Sequence, residues 1–390
     1  MNKRKIYWFL QQLENIGGTE VVTIQIMNML SNIYDITLVI LAKKPDVIPY
    51  QINDDIKIFF FGFDQDSTQF DRYFGKYIDD KEINRALQLA IKTNYKFFYA
   101  NNEIKEKISA MTTKDDILVV SSQELMLFMP KDRFIYRHFH YNSFLYRKPF
   151  NKLLLVNSRK PDYTIFLTEA TKKELKFSNK YSTYISNPAR YPSEEHYYYH
   201  NNNLLFVGRF EEQKNPMFLL RALKSLNKIY KNYAITLIGN GSLYGKMMKY
   251  IKANNLDNVK VVTNCTNPLD YYRNSDLLLM TSRYEGFALV ALEAQSQSCP
   301  VFILDMNDPT KDIVHDGVNG MIVYKKSPKI YAEKLKDLLE NKETLLKMKK
   351  SAYKYSLDYQ PDKIKDKWIK LFDSHNERLK WKYYYQNLKQ

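Results

Sequence analysis

Short apolar runs, each of strand length, alternate along this chain with longer stretches whose apolar residues recur at helical spacing. That alternation is the mark of a parallel α/β sheet. Ile6–Leu10 reads as a first strand, then a turn at Asn15–Gly18 and a helix from Thr19 to about Ile33. Further strands are expected at Ile36–Ala42, Lys57–Phe61, Ile117–Ser121, Arg133–Tyr136 and Tyr163–Leu167, the last followed by a helix over Glu169–Lys176.

A second, tidier set comes after Asn187-Pro188. Its strands are Asn203–Val207, Ala234–Gly239, Val259–Val262, Leu277–Met280 and Val301–Leu304. Its helices are Pro216–Tyr230, Ser242–Ala253, Leu269–Arg273, Leu289–Ser296 and Ile330–Glu340. Pro188 and Pro192 interrupt any regular element, which puts the boundary near Ser186–Pro192. The expected domains are 1–187 and 188–362, with a basic, Trp-containing helical tail over 363–390 that packs back on the first. Two such units imply a cleft, and ligands of open α/β sheets bind beyond the carboxyl ends of the strands.

Composition narrows the class. A 45% hydrophobic, 26% charged chain is globular and excludes disordered or fibrous proteins. The net charge of +16 predicts attraction to anions. Cys265 and Cys299 are the two cysteines, so a disulfide framework and a CxxC metal site are excluded, and a reducing compartment fits. No apolar run is long enough to span a bilayer, which predicts a soluble or membrane-surface protein in the cytoplasm. The 15% aromatic content fits either an AT-rich genome or a sugar- or lipid-binding surface.

Four constellations carry candidate chemistry. Glu285-Gly286-Phe287 sits between a strand and a helix starting near Ala288, and Glu293 lies about one and a half turns into that helix. Amides at a helix start point outward, Gly286 permits close approach, and a carboxylate such as Glu293 accepts two hydrogen bonds from a diol. The spacing alone also fits two ordinary glutamates on a solvated helix. Gly208-Arg209 ends a strand, and Lys214-Asn215-Pro216 opens the next helix, so both cations sit where a phosphate binds. Gly239-Asn240-Gly241 is a strand-turn-helix lacking the third glycine and the acid of a dinucleotide site. Gly17-Gly18-Thr19-Glu20 forms a flexible loop after the first strand.

Taken together, Leu205–Arg209, Lys214-Asn215-Pro216, Glu285-Gly286-Phe287 through Glu293-Ala294, Cys299-Pro300-Val301 and Asp316–Gly320 resemble the retaining GT-B glycosyltransferases of glycosyltransferase family 4. The resemblance is specific over roughly 203–325 and looser over the whole chain. It implies the GT-B fold, two Rossmann-like doubly wound domains facing a cleft, and transfer of a sugar from a nucleotide-diphosphate donor, UDP-linked, to a carbohydrate or lipid-linked glycan acceptor. By that resemblance Arg209 and Lys214 hold the donor diphosphate, Glu293 the ribose hydroxyls and Glu285 the donor sugar. Backbone at Gly286, Phe287, Ala288 and Leu289 faces phosphate and sugar, and the glycines Gly17, Gly18, Gly208 and Gly239 line the donor loops. No cofactor is implied, and no DxD motif comes after a strand, in keeping with a metal-independent site. Two departures are Ser298 in place of the usual glycine before Cys-Pro-Val, and Asp308-Pro309 in place of a glycine pair.

Residues 133–161 carry Arg133, Arg137, Arg147, Lys148, Lys152, Arg159 and Lys160, interleaved with Phe134, Tyr136, Phe139, Tyr141, Phe144, Tyr146 and Phe150. Such a strip suits an anionic leaflet, or is a loop and helix whose aromatics face the core. Nucleic acid is disfavoured because no nucleic-acid module is recognisable. Family members often place a histidine in the cleft near here, where it contacts the donor sugar or orients the acceptor; His138 is favoured because it follows the strand end more closely than His140, and an ordinary packed or exposed histidine fits either one. The alternative to an active enzyme is a silent GT-B subunit that binds glycan or a partner glycosyltransferase.

Overall fold

In the computed structural model, residues 3–14, 17–63, 103–121, 124–140, 160–174, 181–199, 201–306 and 309–387 are described. They fall into two compact units. Unit 1 comprises Met1–Leu167, Lys172–Ile185 and Lys365–Gln390; unit 2 comprises Thr168–Thr171 and Ser186–Ile364.

Unit 1 is built on strands β1 (Lys5–Leu10), β2 (Asp35–Ala42), β3 (Lys57–Phe63), β4 (Ile117–Val120), β5 (Ile135–Phe139), β6 (Tyr163–Phe166) and β7 (Ser182–Tyr184). They pair in parallel in the order β3-β2-β1-β4-β5-β6-β7. Helix α1 (Gly18–Leu30) comes after β1, and the short α2 (Glu169–Glu174) after β6. β4, buried along its whole length, reads as an unbroken apolar stretch, whereas β5, equally buried, takes Arg137 and His138 into the interior.

Unit 2 repeats the plan with β8 (Asn203–Val207), β9 (Ala234–Ile238), β10 (Val259–Val262), β11 (Leu277–Met280), β12 (Val301–Leu304) and β13 (Gly320–Val323). Their order is β10-β9-β8-β11-β12-β13, again parallel. The helices are α3 (Pro216–Leu226), α4 (Tyr244–Ala253), α5 (Leu269–Arg273), α6 (Leu289–Ser296), α7 (Pro328–Glu340) and α8 (Lys342–Ser356). Asn341 alone separates α7 from α8 and caps the latter, its Oδ1 accepting from the Thr344 amide at 3.0 Å. Leu204, Phe206, Leu219, Leu223, Leu277, Phe302 and Tyr331 lie in one core cluster between sheet and helices. A buried ion pair, Lys349 Nζ to Asp276 Oδ1 at 3.3 Å, ties α8 to the turn before β11.

Both sheets have the doubly wound order, and each GT-B half is of this Rossmann-like kind. The C-terminal helices α9 (Pro361–Asp373) and α10 (His375–Asn387) belong to unit 1 from Lys365 onward. Trp368 is fully buried against Trp8, with ring centroids 5.2 Å apart, and against His138 at 5.0 Å. Phe372 meets Tyr34 and Tyr136, and Lys382 pairs with Asp162 at 3.0 Å.

The expected strand at Arg133–Tyr136 is displaced to Ile135–Phe139. Arg133 is drawn away from the strand because its guanidinium donates to the carbonyls of Ser109 and Thr112. The tail is two helices rather than one, broken at Ser374, whose hydroxyl bonds the Leu371 carbonyl at 2.7 Å. Strands β7 and β13 and helix α8 were not expected from the pattern.

Where the aromatic and basic strip is described, it follows the second of its two readings, with aromatics facing the core. Phe134, Tyr136 and Phe139 are core residues, Arg133 and Arg137 are buried, and Arg137 lies over the Phe139 ring at 4.7 Å. The remainder, from Tyr141 to Arg159, lies outside the described residues, as does Asp308. Among the described residues no helix is long and apolar enough to cross a membrane.

Candidate active site

In unit 2 the strand order reverses between β8 and β11, so the loops leaving these neighbours diverge at the carboxyl edge. Loop 208–215 carries Arg209 and Lys214, and loop 281–288 carries Glu285. The two are stitched together. The Arg283 amide donates to the Gln213 carbonyl at 2.8 Å, Gln213 Nε2 to the Tyr284 carbonyl at 3.2 Å, and Thr281 Oγ1 to the carbonyls of Lys214 and Asn215. Each loop ends on a left-handed residue directly before its helix: Asn215 (φ 52°) before α3 and Ala288 (φ 57°) before α6. Asparagine tolerates that region, whereas alanine there costs about 1–2 kcal/mol. The stitching holds this strain at the start of α6, whose first amides lack partners within the helix.

The glycines shape the same edge. A Cβ on Gly239 would lie 2.0 Å from the Gly208 carbonyl oxygen, so loop 239–241 can approach loop 208–210 only with glycine there. The Phe210 amide then donates to the Asn240 carbonyl at 2.7 Å. At Gly208 a Cβ would press on the Lys214 methylenes at 3.3 Å, so the missing side chain lets the lysine stem pass.

Lys214 Nζ reaches Glu285 Oε1 at 2.5 Å, and Ser282 Oγ donates to the same oxygen at 2.6 Å. Both side chains of the ion pair are largely buried. Arg209 is exposed, and its guanidinium is steadied by Gln213 Oε1 at 2.9 Å. Glu293 is 8% exposed and accepts from the Tyr272 hydroxyl at 2.8 Å. Burial pushes its carboxyl pKa up, against the Tyr272 hydrogen bond and the charges of Arg190 and Lys214, which favour the ionised form. Phe287 and Ala288 are buried, Phe287 against Tyr359, while Gly286 and Leu289 are half-exposed. Two cations beside a helix start suit a phosphate, and a buried carboxylate suits a pair of hydroxyls.

Of the residues expected to form the site, Gly208, Arg209, Lys214, Gly239, Glu285–Leu289 and Glu293 all belong to unit 2. Gly17, Gly18 and His138 belong to unit 1. Gly17 precedes α1 as its N-cap, and a Cβ on it would sit 2.2 Å from Glu20 Oε2, so the glycine makes room for that carboxylate. His138 is fully buried inside β5, between Trp8 and Trp368, with Nδ1 2.9 Å from His140 Nε2. The expectation that it lies past a strand end is therefore corrected: it lies within the strand, and His140 is the partly exposed ring of the two. Burial holds both imidazoles neutral, His140 down to about 3.

Sequence reasoning missed Tyr272, Ser282, Arg190 and Tyr191. Ser282 lies three residues before Glu285 and could have been read as its local partner. Nothing in Leu269–Arg273 marks Tyr272, because its role depends on a contact across two helices. Ser298, where the resembled family has glycine, is left-handed (φ 56°), and its hydroxyl compensates by bonding the Glu194 carbonyl and the His196 amide. Among the described residues, no group of three or more His, Cys, Asp or Glu side chains is placed to hold a metal.

Residues 195–355 match the family model for glycosyl transferases group 1, a span that includes every unit 2 site residue named above except Arg190 and Tyr191. An uncharacterised glycosyltransferase of Haemophilus influenzae is 24% identical over 94% of this chain and 99% of its own length. The amylovoran biosynthesis glycosyltransferase AmsD of Erwinia amylovora is 29% identical over 42% of this chain and 46% of its own, so the match spans about half of that relative. A solved structure of a TarM variant from S. aureus, in complex with fondaparinux, α-GlcNAc-glycerol and UDP, is similar with a TM-score of 0.73 at 17% identity. That likeness covers 95% of this chain and 100% of the other, and it concerns the fold. With two doubly wound sheets and a group 1 match across the unit that bears the site, the protein is a glycosyltransferase of the GT-B fold.

Proposed function

We propose that the protein is a retaining enzyme of glycosyltransferase family 4, moving a sugar from a UDP-linked donor to a carbohydrate or lipid-linked glycan acceptor in bacterial surface polysaccharide synthesis. The observation that carries this is the ion pair of Lys214 with Glu285, set beside Arg209 at the start of α6, with Glu293 further along the same helix. The diphosphate lies against Arg209, Lys214 and the first α6 amides, and the ribose hydroxyls donate to Glu293. As the bond from the anomeric carbon to the phosphate oxygen breaks, charge builds on the leaving diphosphate. Fixed cations and amides stabilise that charge without reorganising. They supply this charge themselves, so the proposal requires no divalent ion. Lys214 then divides its charge between Glu285 and phosphate, which frees Glu285 to hold donor-sugar hydroxyls.

The acceptor oxygen bonds to the anomeric carbon on the face the phosphate leaves, and its proton passes to the departing phosphate oxygen. No protein nucleophile is required. Uridine as the nucleoside is supported by the UDP of the TarM complex, and the polysaccharide setting by the amylovoran relative.

The test is donor binding and slow donor hydrolysis across a panel of nucleotide sugars, wild type beside Glu293→Ala and Arg209→Ala. Release of nucleoside diphosphate from one donor, lost in both variants, supports the reading and names the sugar. Absence of binding for every donor at millimolar concentration, unchanged by a membrane extract supplying acceptor, overturns it in favour of a silent subunit.

A further inference from the structure

Glu293 Oε2 is taken by the Tyr272 hydroxyl, while Oε1 has no hydrogen-bond partner among the described residues and is not sealed from solvent. Tyr272 itself is fully buried, and a buried phenol needs an acceptor; Phe would fill the same volume at no such cost. Burial and the adjoining carboxylate push its hydroxyl pKa well above the usual range, so it remains a donor at every working pH.

The short helix that bears Tyr272 is anchored. Directly after α5, the Ser275 carbonyl accepts from Lys349 Nζ at 3.0 Å, Asp276 forms the buried pair with Lys349, and the Asp276 amide donates to the Asn203 carbonyl at 2.7 Å. The hydroxyl therefore has a fixed address between β8, β11 and α8. On the adjoining segment the Tyr191 ring lies 6.3 Å from that of Tyr272 and its hydroxyl donates to Asn267 Oδ1 at 3.0 Å. The Arg190 guanidinium covers the outer side of Tyr191 at 5.3 Å.

We infer that Tyr272 is a positioning residue for Glu293, clamping one carboxylate oxygen so that the other is presented to the hydroxyl pair of a ligand. This rests on the reading of Glu293 as the acceptor for a nucleotide ribose. The titratable and charged groups facing Glu293 are Tyr272 from α5, Tyr191 and Arg190 from the segment before β8, and Lys214 from the loop after β8. Behind Tyr272, Cys299 is neutral, its thiol pushed up to about 12 by burial. The ionised carboxylate is the form that accepts from two hydroxyls, and the Tyr272 hydrogen bond favours that form.

The experiment uses the full chain labelled with carboxyl-¹³C glutamate, with Glu293 assigned by Glu293→Gln and titrated by NMR in wild type and Tyr272→Phe. UDP-glucose and UDP-N-acetylglucosamine binding is measured in parallel from pH 5 to 8.5; these diphosphates have no phosphate proton that titrates there. Loss of a hydrogen bond to a charged group should raise the Glu293 midpoint by about one to two pH units. Donor affinity should then fall at the acid end and recover at the alkaline end. A midpoint unmoved in Tyr272→Phe, or an equal loss of affinity at every pH, overturns the inference. Should wild type bind no nucleotide sugar, the ribose reading fails, and the NMR midpoint still decides the role of Tyr272. If Tyr272→Phe does not fold, fluorotyrosine placed at 272, a stronger donor, should lower the midpoint; no movement there also overturns it.

Discussion

In unit 2 the loops after β8 and β11 bring together Arg209, Lys214, Ser282 and Glu285, with Glu293 and Tyr272 on the helices beyond. In unit 1 the corresponding strands are β1 and β4, and the chain beyond β1 offers Gly17, Gly18 and the inward-folded Glu20. The polar side chains of unit 1 are used differently: Trp8 Nε1 donates to Ser121 Oγ at 2.9 Å, Ser121 lies near Thr23, and His138 is sealed against Trp368. One topology therefore offers the same place twice, and side-chain chemistry distinguishes the one proposed to take a phosphate and a diol. Strand order tells where to look; Lys214 and Glu285 carry the proposal of what binds.

The sharpest way to break this contrast is to remove one buried partner in each unit. Asp276→Ala strands Lys349 and should cost about 3–5 kcal/mol in unit 2. Trp368→Ala should cost about 3–5 kcal/mol in unit 1 by opening a cavity beside Trp8. Denaturant unfolding followed separately in each unit checks both, and the two variants should lower different transitions. Lys214→Ala comes next: turnover should fall about 10²–10³-fold, measured as nucleoside diphosphate release. Gly239→Ala should cost about 1–3 kcal/mol by overpacking against Gly208 and weaken donor binding with it, read by melting and by titration.

Acid should separate the units as well. Burial lowers the pKa of His375 to about 4, below the ordinary histidine value, and lowers those of His138 and His140 too. Between about pH 6.5 and 4 the unfolded chain binds more protons at these rings, so unit 1 loses stability as pH falls through that window. Glu293 has the opposite sign. Its raised pKa makes the folded state the better proton binder, so its contribution to unit 2 grows as pH falls. Thermal melts between pH 7 and 5 should show unit 1 weakening first, and His375→Asn should flatten its slope. The smallest effect belongs to Arg190→Gln, a modest upward shift of the Glu293 midpoint that 1 M salt largely removes, since Arg190 is exposed.

The unit 2 elements from β8 to β12 were legible nearly residue by residue, because their strands are short, mostly apolar runs and Pro216 marks a helix start. Glycines beside charged residues at strand ends exposed the loops of the site. Unit 1 was harder to read. Arg133 looks like a strand residue and is instead recruited by carbonyls at the end of a preceding helix, which shifted β5 and with it the reading of His138. Neither Pro nor Gly announces the break at Ser374, which depends on a hydroxyl bonding its own helix. Tyr272 was invisible for a related reason: a phenol that serves a carboxylate on another helix leaves no local pattern.

Unit 1 draws its material from both sides of unit 2, and this sets an order for its birth. Its sheet is laid down by Ser182–Tyr184, yet α9 and α10, which cover Trp8, Tyr34 and Tyr136, come only after all of unit 2 has been made. At synthesis rates of about 5–20 residues per second, the gap lasts on the order of 10–40 seconds. The part made first is thus finished last, and the nascent chain leaves the ribosome with an aromatic face that waits for its own cover.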